Sequence, residues 1–551
     1  MKRIILSLSG LLMCGILCAQ EDKQNAVVNV ENDYNPVMVP VKKKSIVPNK
    51  EKKDNKKPLE LEFSKGSSPF HGFTSERDVK DLMPGQEDTY NGYARIGAGN
   101  ANSIDLKAAY NMNIDKWSSF GVLASINGFN TNIDGLFEGT RWRSRMYGTI
   151  IDAGYTRKLK GFDLGITGGF DNQVFNYQLT NPTPFFTDKQ NSTSMRVKAD
   201  ITSQLAGPFS YKAYAGIGYN NRSYSIGIGN NISEARMNIG GNVALELTSD
   251  IIRNIGADID AGFYLYNSNL RNGADRYKNI MSFDFNPYTN ILYNNWKIRA
   301  GLKLNFKSQG KTAVAFSPDI TAEGMITDNI GLYAEIKGGR MYCGFEAMNM
   351  ITPYWNYDAT SSCQLEPTYK VVDILLSARF SHFDPIKIET YGGYTYTKDD
   401  ILQFVGNMYY DFIYVNLAQH DTRNTFIGAK ATYSIGGWFN LAGDLRFDSW
   451  HAKNKDLLIM KPFITMNISA EARPIKELVL RAGYNFTQYT KGKTVGRLDD
   501  KNDLYARASY HFNKKFSAYL QGNNLLDNGY YDYAGYEARG INCIVGATMN
   551  F

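Results

Sequence analysis

Five histidines are the side chains in this sequence best suited to proton transfer or metal binding: His71, His382, His420, His451 and His511. They are scattered. None forms a His-Glu pair at helical spacing, no two cysteines stand at metal spacing, and no glycine-rich phosphate loop precedes a helix. No catalytic site, metal site or cofactor is expected, and no Ser-His-acid site can be assembled. Of the five cysteines, Cys14 and Cys18 lie in the first 20 residues. Cys343 and Cys363 flank the segment "EAMNMITPYWNYDATSS" and could bridge a loop facing an oxidising exterior. Cys543 falls on the apolar side of an alternating stretch and reads as a small hydrophobe.

The elements that would carry these residues are strands. From Tyr90 onward, segment after segment alternates. In "LVLRAGYNF" one face carries Leu478, Leu480, Ala482, Tyr484 and Phe486, and the other carries Arg481 and Asn485. In "LYARASYHF" the first face is Leu504, Ala506, Ala508, Tyr510 and Phe512, with Arg507 and His511 opposite. The chain ends in the same way, with Ile541, Val545, Met549 and the terminal Phe551 marking an oily final strand. Such strands are long enough to cross a bilayer at a tilt, and lipid cannot satisfy a free sheet edge, so they must close into a barrel. High glycine (50) and tyrosine (37) with a mildly negative mean hydropathy suit many amphipathic strands better than one large buried core.

Short turns mark one end of this barrel. They fall near 114–116, 158–161, 206–208, 250–253, 294–295, 327–329, 384–387, 436–437, 473–476 and 513–515, with longer loops between them. Ten short turns imply about 22 strands, within 20 to 24. One of the long loops, 398–424, is rich in aromatics, and Phe404, Tyr409, Tyr410 and Phe412 could fold inward as a constriction. The expected fold is therefore all-β, a transmembrane antiparallel barrel over 90–551. Its surroundings would be outer-membrane lipid, with no nucleic-acid partner.

Ahead of the barrel, Lys2 and Arg3 precede an apolar run from Ile4 to Leu17 that ends in "CAQED", which reads as an export signal over 1–20. Residues 21–89 read as an extended periplasmic segment, with eight lysines between Lys42 and Lys57. Its part 26–57 could hold a periplasmic partner, or lie in the lumen against inward acids such as Asp105 and Asp200.

At "NNLLDNGYYDYAGYEARGINCIVGATMNF" a resemblance becomes specific. Asn524, Leu525, Leu526, Asp527, Tyr530, Tyr531 and Arg539, followed by the closing strand to Phe551, resemble the last hairpin of TonB-dependent receptors. The resemblance implies an outer-membrane barrel of a Gram-negative bacterium that binds or passes a solute. It also implies that the terminal aromatic strand is read by the outer-membrane assembly machinery. Those receptors carry an N-terminal plug, and about 70 residues between Gln20 and Tyr90 are too few for one. The expectation is a plugless relative: a channel or receptor, or alternatively an accessory barrel subunit of an outer-membrane or periplasmic complex, and not an enzyme.

Overall fold

The computed structural model describes residues 91–551, apart from 137–140, 180–187, 204–206, 224–230, 268–276, 310–311, 356–364, 384, 406–411 and 495. The export signal, the Lys-rich segment, the plugless expectation, Cys363, Tyr409 and Tyr410 all lie outside the described residues.

The described chain forms one closed sheet of 22 antiparallel strands. Each strand pairs with the next along the chain, and the first (Gly92–Gly99) pairs with the last (Asn542–Asn550). The seam runs from Tyr93 opposite Asn550 to Gly99 opposite Ile544. Phe551 finishes it: its N–H donates to Gly92 O and its carbonyl accepts from Gly92 N, both at 2.9 Å, while its ring stacks on Tyr110. Closure leaves no sheet edge unpaired.

Alternation sorts the side chains as the sequence implies. Ile96, Leu480, Tyr510, Val545 and Met549 are exposed on the outward face, whereas Val479, Asn305 and Asp319 are buried on the inner one. The abundance of glycine and tyrosine has a packing cause. Tyr288, Tyr391, Tyr505 and Tyr519 each lie over a glycine directly opposite on the neighbouring strand: Gly256, Gly428, Gly483 and Gly546. A Cβ on Gly483 would sit 2.3 Å from the Tyr505 ring, so only glycine leaves room for the flat aromatic.

All ten short connections fall where the sequence places them, within a few residues. At Gly436 and Gly437 both φ angles are positive (53° and 71°), the backbone that a tight hairpin needs and that glycine adopts freely. The region 283–292, which the alternation leaves open to a split, is one unbroken strand, Ile280–Tyr293.

One expectation needs correction. The loop read as 398–424 is mostly strand, because Ile386–Val405 and Val415–Ile435 continue to pair up to Val405 opposite Val415. They are 20 and 21 residues long, about twice what a bilayer requires. The aromatic and β-branched content that looked like a loop is a tall hairpin rising above the membrane band, and only 406–414 connects it.

Candidate functional site

The largest apolar core lies at the long-loop end, where segments distant in sequence meet. It contains Ile133, Trp142, Phe175, Tyr177, Ile232, Phe345, Met348, Tyr354, Trp355, Phe412, Ile413 and Tyr536. These come from strands on opposite sides of the barrel. Trp142 is on Arg141–Leu159, and Phe412 follows Ile386–Val405, about half the circumference away. Strands that are not neighbours in the sheet can touch a common core only across the mouth. The cluster therefore forms a lid.

Its centre is a short helix, α1 (Phe345–Ile351), with the turn that follows it. Inward side chains of three strands hold this unit. Glu234 accepts a hydrogen bond from Phe345 N (2.8 Å), which satisfies a free N–H of the first helical turn, and Arg236 pairs with Glu346 (2.5 Å). Asn349 Nδ2 donates to Ser192 Oγ (2.7 Å), and Gln403 Nε2 donates to Ile351 O (3.2 Å). Behind the helix, Phe412–Ile413 pairs with Gln178–Leu179 as a two-residue antiparallel ladder. The hairpin of Tyr531–Tyr533 and Tyr536–Glu537 lays Tyr536 flat on Tyr354, with ring centres 3.6 Å apart and planes 5° apart. Tyr536 Oη then donates to Ile413 O (2.5 Å), tying hairpin to ladder.

Arg222, on the strand Phe209–Ser223, is the latch of this assembly. It is fully buried. Its guanidinium donates to Tyr177 Oη (2.7 Å), Pro353 O (2.8 Å), Trp355 O (3.1 Å) and Asn349 Oδ1 (3.1 Å). It also lies over the Trp355 ring (4.3 Å) and the Phe175 ring (5.1 Å). No carboxylate pairs with it among the described residues. A buried cation without a counter-charge persists only where dipoles and ring faces replace water, and here carbonyls, an amide oxygen and two aromatic faces do so. Tyr177 passes the network on by donating to Trp355 O (2.9 Å). Burial pushes its phenol well above the usual tyrosine value, against the pull of Arg222. In its reduced form Cys343, which packs against the lid, has its thiol pushed by burial up to about 12.

The residues singled out from the sequence fall into three places. Ile541, Val545, Met549 and Phe551 line the outward face of the closing strand and its end. The hairpin residues form a structural base under the lid. Asn524 has a positive φ (47°) and is buried; its side chain donates to Asn528 O (3.0 Å) and Arg539 O (2.8 Å) and accepts from Asn528 N (3.1 Å). Asp527 accepts from Ile541 N (3.1 Å). Leu525 N donates to Leu504 O (2.8 Å), while Leu526 is exposed. Tyr530 is buried under Lys501, and Tyr531 O accepts from Tyr489 Oη. Arg539 lies over Phe129 (4.0 Å), and burial lowers its guanidinium to about 10, so it stays charged at neutral pH. Of the constriction residues, Phe412 joins the lid core, and Phe404 sits on the tall hairpin. Arg222, Glu234, Tyr354, Trp355 and Tyr536 escape a reading by alternation, although the aromatic run "PYWNY" beside a proline marks part of the lid.

No family model matches the sequence, and no curated relative does. The fold has clear likenesses among solved structures. The ferric-catecholate import receptor Fiu of E. coli K12 superposes with a TM-score of 0.63 at 10% identity, covering 84% of this chain and 82% of that one. The ferric enterobactin receptor PfeA of Pseudomonas aeruginosa, a Q482A mutant bound to enterobactin, gives 0.65 at 14% identity over 84% and 81%. The copper transporter OprC gives 0.60 at 10% over 85% and 81%. The chain has the barrel fold of transport receptors. At such low identity the likeness concerns the fold, and two of these three proteins are named as receptors and one as a transporter, none as an enzyme.

Proposed function

We propose that this chain is an outer-membrane receptor or transport barrel of a Gram-negative bacterium, gated at its outer mouth by a lid folded from its own loops. The observation that carries this reading is Arg222, which sits fully buried and joins barrel wall, helix turn and aromatic core in one network. A wall of 22 strands encloses a lumen far wider than side chains can fill, since barrels of about 16 to 18 strands already leave an aqueous channel. A lid at one mouth keeps such a lumen from breaching the membrane. Short turns on the periplasmic side and long loops outside put the lid at the outer face.

Solute entry then requires the lid to unlatch. The handles a solute would act on are the ring stack of Tyr354 on Tyr536 and the Arg222 network. The solute lies within the class of small molecules that such receptors admit. Liposomes that contain the full-length chain should swell slowly in isotonic raffinose. Deleting 344–355, which removes α1 and its turn, should speed swelling many-fold while the barrel still shows heat-modifiable migration. Equal swelling rates would reject the lid as the gate.

A further inference from the structure

On the inner wall beneath the lid, inward side chains of five consecutive strands between Ile252 and Met341 enclose a cavity of about 310 Å³. That is within the size range of ligand pockets. Asp258, Asp260, Asp284 and Asp319 line it. Two of these are accounted for, because Arg299 pairs with both Asp258 (2.5 Å) and Asp319 (2.9 Å). The other two are not. Asp260 and Asp284 stand directly opposite each other on adjacent strands, an arrangement of like charges that costs stability. Their donors are neutral: Tyr214 Oη for Asp260, and Asn305 Nδ2 (2.6 Å) for Asp284. Of the two lysines in the wall, Lys337 is held by Glu335 (2.7 Å), which leaves Lys303 and the more distant Arg340 to offset the pair. Four aspartates and Glu335 against Arg299, Lys303, Lys337 and Arg340 leave one negative charge.

A second observation points to a ligand. Asn286 lines the same cavity and is 4% exposed. Its Nδ2 donates to Asp258 (3.0 Å) and Asp319 (2.7 Å), which fixes the amide, yet its Oδ1 accepts nothing among the described residues. Asn305, fully buried beside Asp284, shows the same pattern: Nδ2 is used and Oδ1 is unpartnered. A buried acceptor without a donor is costly. Two such oxygens next to two carboxylates without an ion pair form a site that lacks donors.

The geometry points to a primary ammonium group as the occupant. It offers three donors, no acceptor and one positive charge. A metal fits less well, because no group of three His, Cys, Asp or Glu is placed to hold one among the described residues. Tyr264 and Tyr342, stacked at 5.3 Å, add aromatic faces near Asp284 for the carbon chain of an alkylammonium. We propose that this recess in the lumen wall binds the ammonium group of an aliphatic cationic solute; its meaning for passage rests on the receptor reading above.

Equilibrium dialysis of radiolabelled cadaverine against the detergent-solubilised full chain tests this without requiring passage. Saturable one-site binding is expected. Asp260→Asn/Asp284→Asn should weaken it at least ten-fold while heat-modifiable migration is kept, and Asp200→Asn, on a distant strand, should leave it unchanged. Should the double variant fail to assemble, Asp284→Asn alone should still weaken binding several-fold. Non-saturable uptake by the wild type, equal affinity in the variants, or displacement of cadaverine by an equimolar magnesium salt would each overturn the proposal. Because the swelling assay reads the gate and dialysis reads the recess, either can fail while the other stands.

Discussion

Replacing Arg222 with methionine and with lysine separates what its hydrogen bonds contribute from what its charge costs. In Arg222→Met, Trp355 O keeps its bond from Tyr177 Oη, and Asn349 Oδ1 keeps its bond from Trp355 Nε1 (2.7 Å). Pro353 O is left with no partner among the described residues, a loss of about 1–3 kcal/mol for an orphaned buried carbonyl. Two cation–π contacts vanish as well, at roughly 1 kcal/mol each. Against this stands the relief of no longer burying a cation that has no carboxylate partner. The net for the lid is a loss of about 2 kcal/mol. Arg222→Lys keeps the buried charge but has three donors on a compact, strongly hydrated group in place of a planar fork. It should cost more, about 3–4 kcal/mol. Hydrogen exchange of the 345–355 peptide, followed by mass spectrometry of the barrel in nanodiscs, reads local opening directly. At about 1.4 kcal/mol per decade, Met should speed exchange roughly 30-fold and Lys several-hundred-fold, with the strand peptides unchanged. If both variants stay within three-fold of wild type, or if Met is the worse of the two, Arg222 is not the latch.

Deleting Phe551 removes its two hydrogen bonds to Gly92 and its stack on Tyr110, and should lower the yield of assembled barrel far more than synthesis, read as heat-modifiable migration of the membrane fraction. Asn524→Ala strips three hydrogen bonds from a buried turn with positive φ, and should destabilise the closing hairpin by about 2–3 kcal/mol, seen as faster exchange in 524–541 with little change elsewhere. Burial, and then the negative charges of Asp134 and Asp499, raise the Glu537 carboxyl above its usual 4.5. The folded hairpin thus holds the proton more tightly than the unfolded one: its added stability is full below about pH 4.5 and is lost as pH rises through the raised value. Exchange in 531–537, corrected for intrinsic rates, should be slower at pH 4 than at pH 7, and Glu537→Gln should flatten that difference. A non-reduced, denatured digest should yield a Cys343–Cys363 linked peptide; two separately alkylated cysteines would end the bridge.

What could be read from the sequence, and what could not, divides along the range of the interactions. Period-two alternation is local, so the outward faces at Leu480, Tyr510 and Val545 and all ten short turns are visible in single segments. The closing pair of first and last strand follows from the need to leave no edge. The lid is a different matter. Tyr177 meets Trp355, Arg222 meets Pro353, and Tyr536 meets Ile413 across separations of 123 to 178 residues. Nothing in the spacing within any one segment encodes such partners. The tall hairpin misleads for a related reason. Above the membrane band both faces of 398–405 and 415–424 meet protein or water, so the clean apolar face that marks a strand lower down is lost there. Asn524 and Asp527 stand out in sequence as a motif, and their role as a staple of the last turn emerges only from the hydrogen bonds they make.

Closure of the outer mouth by the chain's own loops is tested most directly by single-channel recording of the full-length protein in planar bilayers. A latched lid should give a conductance far below that of an open lumen of this width, with brief, rare openings that become long and frequent in Arg222→Lys. A large, steady, ohmic conductance in the wild type, unchanged by that substitution, would contradict it.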